Sequence, residues 1–214
     1  MIPTFKNNSV SKFFDNYATD FDEIYGSKHT LLNKFINHYF RASMRIRFEK
    51  TIEGCYPIDG MTVIDIGCGS GHYVINLALR GAEQIVGLDF SQEMLNLATW
   101  RARQKKVSQT CSFINADFSD YADKAEFDYS IIMGFMDYIE DPSWVISKVI
   151  AMTRQRAFFS FPLRGGLLAW QRGIRYSRKC PLHLYSFQEV QDLFHEKNVR
   201  IEKIARDLFV TLTI

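Results

Sequence analysis

Apolar residues in this chain gather in short runs, and between the runs lie longer segments in which apolar positions recur every three or four residues. The runs predict strands at 62–66, 84–89, 110–115, 127–133 and 156–161, and the periodic segments predict helices near 71–80, 91–106 and 142–153. Such alternation builds a parallel sheet covered by helices on both faces. Two further helices are expected at 9–24 and 28–53, ahead of the first strand. The alternation stops after Pro162: residues 163–181 read as an insertion, followed by a helix at 186–196 and strands at about 199–205 and 208–213 that complete a seven-stranded sheet. The fold class is therefore α/β, a doubly wound Rossmann-like sheet in one domain. Residues 1–60 form a helical cap, 61–161 the core, 162–185 the insertion and 186–214 a C-terminal helix with two strands.

The first strand runs into Asp65-Ile66-Gly67-Cys68-Gly69-Ser70-Gly71, and the second ends in Asp89. Glycines at alternate positions let the main chain turn tightly and let a ligand approach the backbone, since no Cβ stands in the way. A dinucleotide-binding turn spaces its glycines G-x-G-x-x-G so that a pyrophosphate meets the helix N-terminus. Here the third glycine comes one residue early, so the turn suits a nucleoside better than a phosphate. A carboxylate at the end of the next strand can accept both hydroxyls of a ribose. Ser91 then reads as a helix N-cap, with Glu93 in the first turn where the helix dipole favours negative charge.

These elements resemble the class I S-adenosylmethionine-dependent methyltransferases. The family's glycine motif matches Asp65 to Gly71, its ribose acid Asp89 and its adenine-contacting acid Asp117, in Phe113-Ile114-Asn115-Ala116-Asp117-Phe118. Its fourth strand and following loop are similar to Phe127 through Pro142, and together these elements cover residues 61 to about 160. The resemblance implies an S-adenosyl-L-methionine cofactor in one crevice at the strand ends. Asp65, Gly67, Cys68, Gly69 and Gly71 would hold its methionine portion, Asp89 the ribose and Asp117 the adenine amino group. Phe90 and Phe118 would sandwich the ring, with Met94, Ala116, Met133 and Gly134 nearby; for the two aromatics and Met94, core packing is the competing reading. It also implies an antiparallel last strand, which periodicity does not reveal. Residues 13–26, from Phe13 to Gly26, are similar to the leading helix of quinone-biosynthesis and magnesium-protoporphyrin methyltransferases. That similarity implies cofactor contact for Tyr17 and a substrate or sulfonium contact for Tyr25.

Composition and charge narrow the class. The chain has 214 residues, 47% of them hydrophobic, and a net charge of +2. Cys55, Cys68, Cys111 and Cys180 form no C-x-x-C pair and no metal spacing with the histidines, which predicts a reduced, cytoplasmic protein without a metal. The first ten residues are too polar for a signal peptide, and no stretch is apolar enough to span a bilayer. Arg41, Arg45, Arg47 and Lys50 read as a solvated helix face. From Pro142 through Gln188 there is no Asp or Glu, yet the stretch holds Lys148, Arg154, Arg156, Arg164, Arg172, Arg175, Arg178 and Lys179. Leu163, Leu167, Trp170 and Ile174 share one face of a helical wheel, with Arg164, Arg172 and Arg175 beside it: a basic amphipathic lid. Arg172, Arg175 and Trp170 are the candidate substrate-binding residues. The arginines would grip an acidic group, meet an anionic membrane surface, or simply face solvent.

For chemistry, the candidates are His183 and Tyr185 after the lid, Asp137 and Tyr138 after the fourth strand, and Tyr25. Relatives carry histidines where this chain has Asp137-Tyr138, so a base cannot be carried over from them. The N-P-P-Y-type motif of amino-directed nucleic-acid methyltransferases is absent, which excludes nucleic acid as the expected partner. The expected activity is methylation of a small molecule, on oxygen of an acidic or lipophilic acceptor. Nitrogen or carbon methylation, or a catalytically silent binding subunit with the same fold, are the alternatives. No obligate protein partner is expected.

Overall fold

Seven strands form one sheet: β1 (Thr62–Ile66), β2 (Gln84–Asp89), β3 (Cys111–Asn115), β4 (Phe127–Ile132), β5 (Thr153–Pro162), β6 (Asn198–Ile204) and β7 (Asp207–Thr213), in the order β3-β2-β1-β4-β5-β7-β6. The structure, a computed structural model, describes residues 31–122, 126–165 and 182–214, with 31–42 as backbone alone. The expected helix at 9–24 and most of the insertion lie outside these residues. Strands β1 to β5 are mutually parallel, and β7 lies antiparallel between β5 and β6. The expected seven-stranded sheet with an antiparallel last strand is what the chain forms. Strand β5 begins three residues earlier than expected, because its polar start Thr153-Arg154-Gln155 still pairs beside β4.

Side chains alternate between the two faces of a strand, and the core divides accordingly. Ile64, Ile66, Val86, Leu88, Ile132, Phe159, Phe161 and Val210 join one apolar cluster, while Val63, Ile85, Tyr129, Ile131, Phe158 and Phe209 join the other. Burial on both faces explains why the central strands read as short, largely apolar runs and do not alternate strictly between apolar and polar residues.

Among the described residues five α-helices cover the sheet: α1 (Leu31–Gly54), α2 (His72–Ala78), α3 (Gln92–Gln104), α4 (Ser143–Met152) and α5 (Phe187–Leu193). Ser91 caps α3 by accepting from the Met94 N–H, and Ser186 and Glu189 form a full capping box on α5. No described helix is long and apolar enough to cross a membrane. The end of α1 corrects the reading of a solvated basic face. Arg47 is only 15% exposed and pairs with Asp207 at 3.4 Å, and Lys50 reaches Glu202 at 2.7 Å, so both tie α1 to the C-terminal strands. Arg45 is exposed and pairs with Glu49 one turn on.

Candidate functional site: a crevice at the strand ends

The turn after β1 is pinned to β2 by its own backbone. The N–H groups of Gly67 and Cys68 both donate to the Leu88 carbonyl, at 2.8 and 3.0 Å. Gly67, Gly69 and Gly71 all have positive φ, at 74°, 50° and 76°, so the conformation itself requires glycine. A Cβ on Gly71 would lie 3.0 Å from Ala98 Cβ, against the core, whereas one on Gly69 would meet no protein atom within 4 Å. From α3, the Arg101 guanidinium donates to Ser70 Oγ at 2.6 Å and ties the turn to the helix beside it.

Asp89 joins the turn to the next unit. Its Oδ2 accepts from the Gly69 N–H at 2.8 Å and its Oδ1 from the Ser91 N–H at 2.9 Å. Further along, the Ala116 N–H donates to the Asp89 carbonyl, and Asp117 Oδ1 accepts from the Ser119 N–H at 2.8 Å. Between these groups opens a crevice lined by Ile66, Gly67, Leu88, Asp89, Phe90, Ala116, Asp117, Phe118, Phe135, Tyr138 and Ile139. It lies at the carboxyl ends of β1 to β4, where open α/β sheets bind their ligands.

The structure thus brings Gly67, Asp89, Phe90, Ala116, Asp117, Phe118 and Tyr138 together. Phe118 is also a core residue, stacked on Trp144 and meeting Phe135 edge-on. Met94 is buried in the core and does not line the crevice. Cys68, Met133 and Gly134 also lie off its wall; Gly134, at φ 72°, donates its N–H to Ser160 Oγ at 2.8 Å. Ile66, Leu88, Phe135 and Ile139 were not expected in the site. They are apolar residues at or just after strand ends, and that position is the signal that finds them.

Asp65 stands directly behind the turn. It is 1% exposed, and its Oδ2 has no hydrogen-bond partner among the described residues. Burial, with the Asp89 charge adding to it, pushes its pKa up to about 8 from an ordinary 3.8. The folded protein therefore holds a proton that the unfolded chain has released between about pH 4 and pH 8, and stability falls as pH rises through that window. Asp65→Asn mimics the neutral acid, so we expect it to flatten the fall and to stabilise the free protein at pH 8 by an amount on the order of a few kcal/mol. Thermal unfolding from pH 5 to 8 measures this; equal pH slopes in the two proteins would rule out a protonated Asp65.

The two ends of the insertion pair with each other, and its C-terminal end docks on the loop after β4. The Arg164 N–H donates to the Tyr185 carbonyl and the Tyr185 N–H to the Pro162 carbonyl, and the His183 N–H donates to the Asp137 carbonyl at 2.9 Å. The Tyr185 hydroxyl donates to the Ile139 carbonyl at 2.6 Å, and burial lifts its pKa to about 12. Tyr185 is well placed as a tie and poorly placed as a base. Four basic residues of the acid-free stretch have structural partners: Lys148 the carbonyls of Phe118 and Ser119, Arg154 Glu126, Arg156 the Gly54 carbonyl, and Arg164 Glu189. Arg172, Arg175 and Trp170, like Tyr17 and Tyr25, lie outside the described residues. Among the described residues no cluster of His, Cys, Asp or Glu assembles that could hold a metal ion.

Comparisons with known proteins agree with this architecture. Residues 58–162 match the methyltransferase domain family. The magnesium-protoporphyrin O-methyltransferase of Rhodobacter capsulatus is 27% identical over 180 residues, covering 80% of this chain and 75% of that protein. The ubiquinone biosynthesis O-methyltransferase of Paraburkholderia phymatum is 30% identical over 113 residues, and this chain spans 48% of its length. The crystal structure of magnesium protoporphyrin IX methyltransferase from Synechocystis PCC 6803, with bound SAH, superposes with a TM-score of 0.75 at 18% identity, covering 95% of this chain and 97% of that one. At that identity it speaks for the fold. With the glycine turn, the strand-end acids and the sheet order in place, the chain carries a methyltransferase domain at residues 58–162 and is a class I S-adenosylmethionine-dependent methyltransferase.

Proposed function

We propose that this enzyme transfers the methyl group of S-adenosylmethionine to an oxygen of a small acidic or lipophilic acceptor. The observation that carries the reading is a single crevice with two strand-end carboxylates, Asp89 and Asp117, on a wall that continues into the apolar residues Phe135, Tyr138 and Ile139. The names of the relatives, O-methyltransferases acting on a protoporphyrin and in ubiquinone biosynthesis, support oxygen as the accepting atom.

The residues present fit the cofactor. Gly69 leaves open space where a side chain would stand, and Asp65 holds a buried oxygen without a hydrogen-bond partner beside the turn, which can accept from a donor on the ligand. The bound cofactor supplies an activated methyl group on a sulfonium. The protein's part is to bind and orient. Asp89 accepts the ribose hydroxyls, since each carboxylate oxygen can take more than the one backbone N–H it already holds. Asp117 accepts from the adenine amino group, and Phe90 lies against the ring. The apolar wall excludes water and holds the acceptor in line, which is where much of the rate in a displacement of this kind arises. His183, docked through its backbone on Asp137, is our candidate base for an acceptor that still carries its proton, and Tyr138 is the phenol on the crevice wall. The arginines at 172 and 175, with Trp170, are proposed to close over an acidic acceptor; contact with an anionic membrane surface would use the same charges.

The test is transfer of a labelled methyl group into a small-molecule extract, with mass spectrometry of the product. A methyl on nitrogen or carbon would overturn the assignment to oxygen. In the same assay His183→Ala is expected to lower kcat roughly 10²- to 10⁴-fold without changing cofactor affinity, if the acceptor must lose a proton in the step. An unchanged rate and pH profile would remove His183 from the chemistry.

A further inference from the structure

Lys148, on α4, has no place in the reaction described above, yet it is built into the underside of the site. Its ammonium donates to the Phe118 carbonyl at 2.5 Å and to the Ser119 carbonyl at 3.3 Å, and it lies 4.6 Å from the centre of the Phe118 ring. Trp144, one turn earlier on the same helix, stacks on that ring, so the two α4 side chains hold Phe118 between them. The charge stands near Asp117 and Asp120.

The geometry matters because the Phe118 carbonyl and the Ser119 N–H belong to one rigid peptide plane. Lys148 holds the oxygen end of that plane, and Asp117 Oδ1 accepts from the N–H end at 2.8 Å. A cation on the carbonyl polarises the peptide and strengthens the hydrogen bond its N–H donates. Lys148, the 118–119 peptide and the Asp117 carboxylate thus form a continuous chain from α4 to the crevice, with Asp117 and Phe118 both on its wall. An apolar residue at 148 would pack against Phe118 as well, but it would remove the hold on the carbonyl end of the peptide whose N–H Asp117 accepts.

We propose that Lys148 is a positioning residue for purine recognition: acting through the 118–119 peptide, it sets the Asp117 carboxylate as an acceptor and so makes the site prefer an amino group to an oxygen on the purine ring. The proposal rests on the reading that the adenosine portion of the cofactor occupies this crevice.

Titration calorimetry with S-adenosylhomocysteine and with its inosine counterpart, on wild type, Lys148→Met and Lys148→Arg, tests it. Wild type should prefer the adenosine ligand. Lys148→Met keeps the apolar stem and removes the donors, and should weaken the adenosine ligand roughly tenfold while changing the inosine ligand less than about twofold, so that the preference collapses. Lys148→Arg, which restores charge and donors, should keep most of the preference. A purely structural role would lower both affinities in the same proportion, and an unchanged preference in Lys148→Met overturns the proposal. Should Lys148→Met fail to fold, Lys148→Leu, which also lacks a donor, gives the same comparison. A wild type that binds neither ligand instead overturns the reading of the crevice, and a wild type that binds both equally overturns the assigned role of Asp117.

Discussion

Gly69→Val is expected to abolish measurable cofactor binding in a protein that still folds, whereas Gly71→Val is expected to lose much of the fold itself. Both positions have φ near +50° to +76°, where a β-branched residue is strained by about 1 to 3 kcal/mol. The destinations of the new side chains differ. At Gly69 the added atoms enter open space beside the Gly69 N–H that Asp89 accepts, so the damage falls on the ligand and on that tie. At Gly71, which caps α2, a Cβ would stand 3.0 Å from Ala98 and 3.3 Å from Phe113. Overpacking there adds roughly 1 to 3 kcal/mol to the backbone strain. For a domain of this size the sum corresponds to a fall in Tm of about 10 °C or more. Thermal unfolding with and without S-adenosylhomocysteine separates the two. Gly69→Val should lose the ligand-induced rise in Tm and little of the unliganded Tm, and Gly71→Val the reverse order of severity. A Gly69→Val protein that binds normally would take the turn out of the site.

The difference between these glycines is invisible in the sequence, where they are equivalent members of one motif, and the same holds for other parts of the molecule. The strands could be read because β1, β2 and β4 are buried on both faces and are short and largely apolar; their alternation into two clusters needs only the period of a strand. Asp89 and Asp117 could be read as crevice residues because a carboxylate that ends an apolar run stands at the carboxyl edge of the sheet, where the crevice opens. Leu88 and Phe135 could not, since an apolar residue that lines a crevice looks the same as one that fills a core. The partners of Arg47 and Lys50 were hidden by distance along the chain: Asp207 and Glu202 follow them by more than 150 residues, and local patterning reports only what lies within a turn or two. Tyr185 is a similar case, since its role is set by the Ile139 carbonyl, contributed by the loop after another strand.

Asp89→Ala is expected to weaken S-adenosylhomocysteine binding by about 1 to 3 kcal/mol, or roughly 5- to 150-fold, because it leaves the ribose hydroxyls without an acceptor in a water-poor crevice. The loss should exceed that of a simple contact, since the same carboxylate fastens the Gly69 N–H to the Ser91 N–H and so holds the turn against the start of α3. Asp89→Asn divides the two parts. An amide oxygen can keep one of the backbone bonds and one ribose hydroxyl, so its affinity should fall between wild type and Asp89→Ala. There is also an opposing effect. The Asp89 charge helps keep the Asp65 carboxyl protonated, so removing it should let Asp65 ionise at lower pH, and the pH-dependent fall in stability should end earlier and be smaller. The two acids should therefore be non-additive in a double-mutant cycle on unfolding, with the coupling largest above about pH 8, where the folded Asp65 is ionised beside Asp89, and fading as pH falls below that and Asp65 is protonated in the fold. Calorimetry for affinity and pH-resolved unfolding for stability make these separate readouts. Unchanged affinity in a folded Asp89→Ala protein would remove the ribose contact, and strict additivity at every pH would show that the two carboxyls do not share a field.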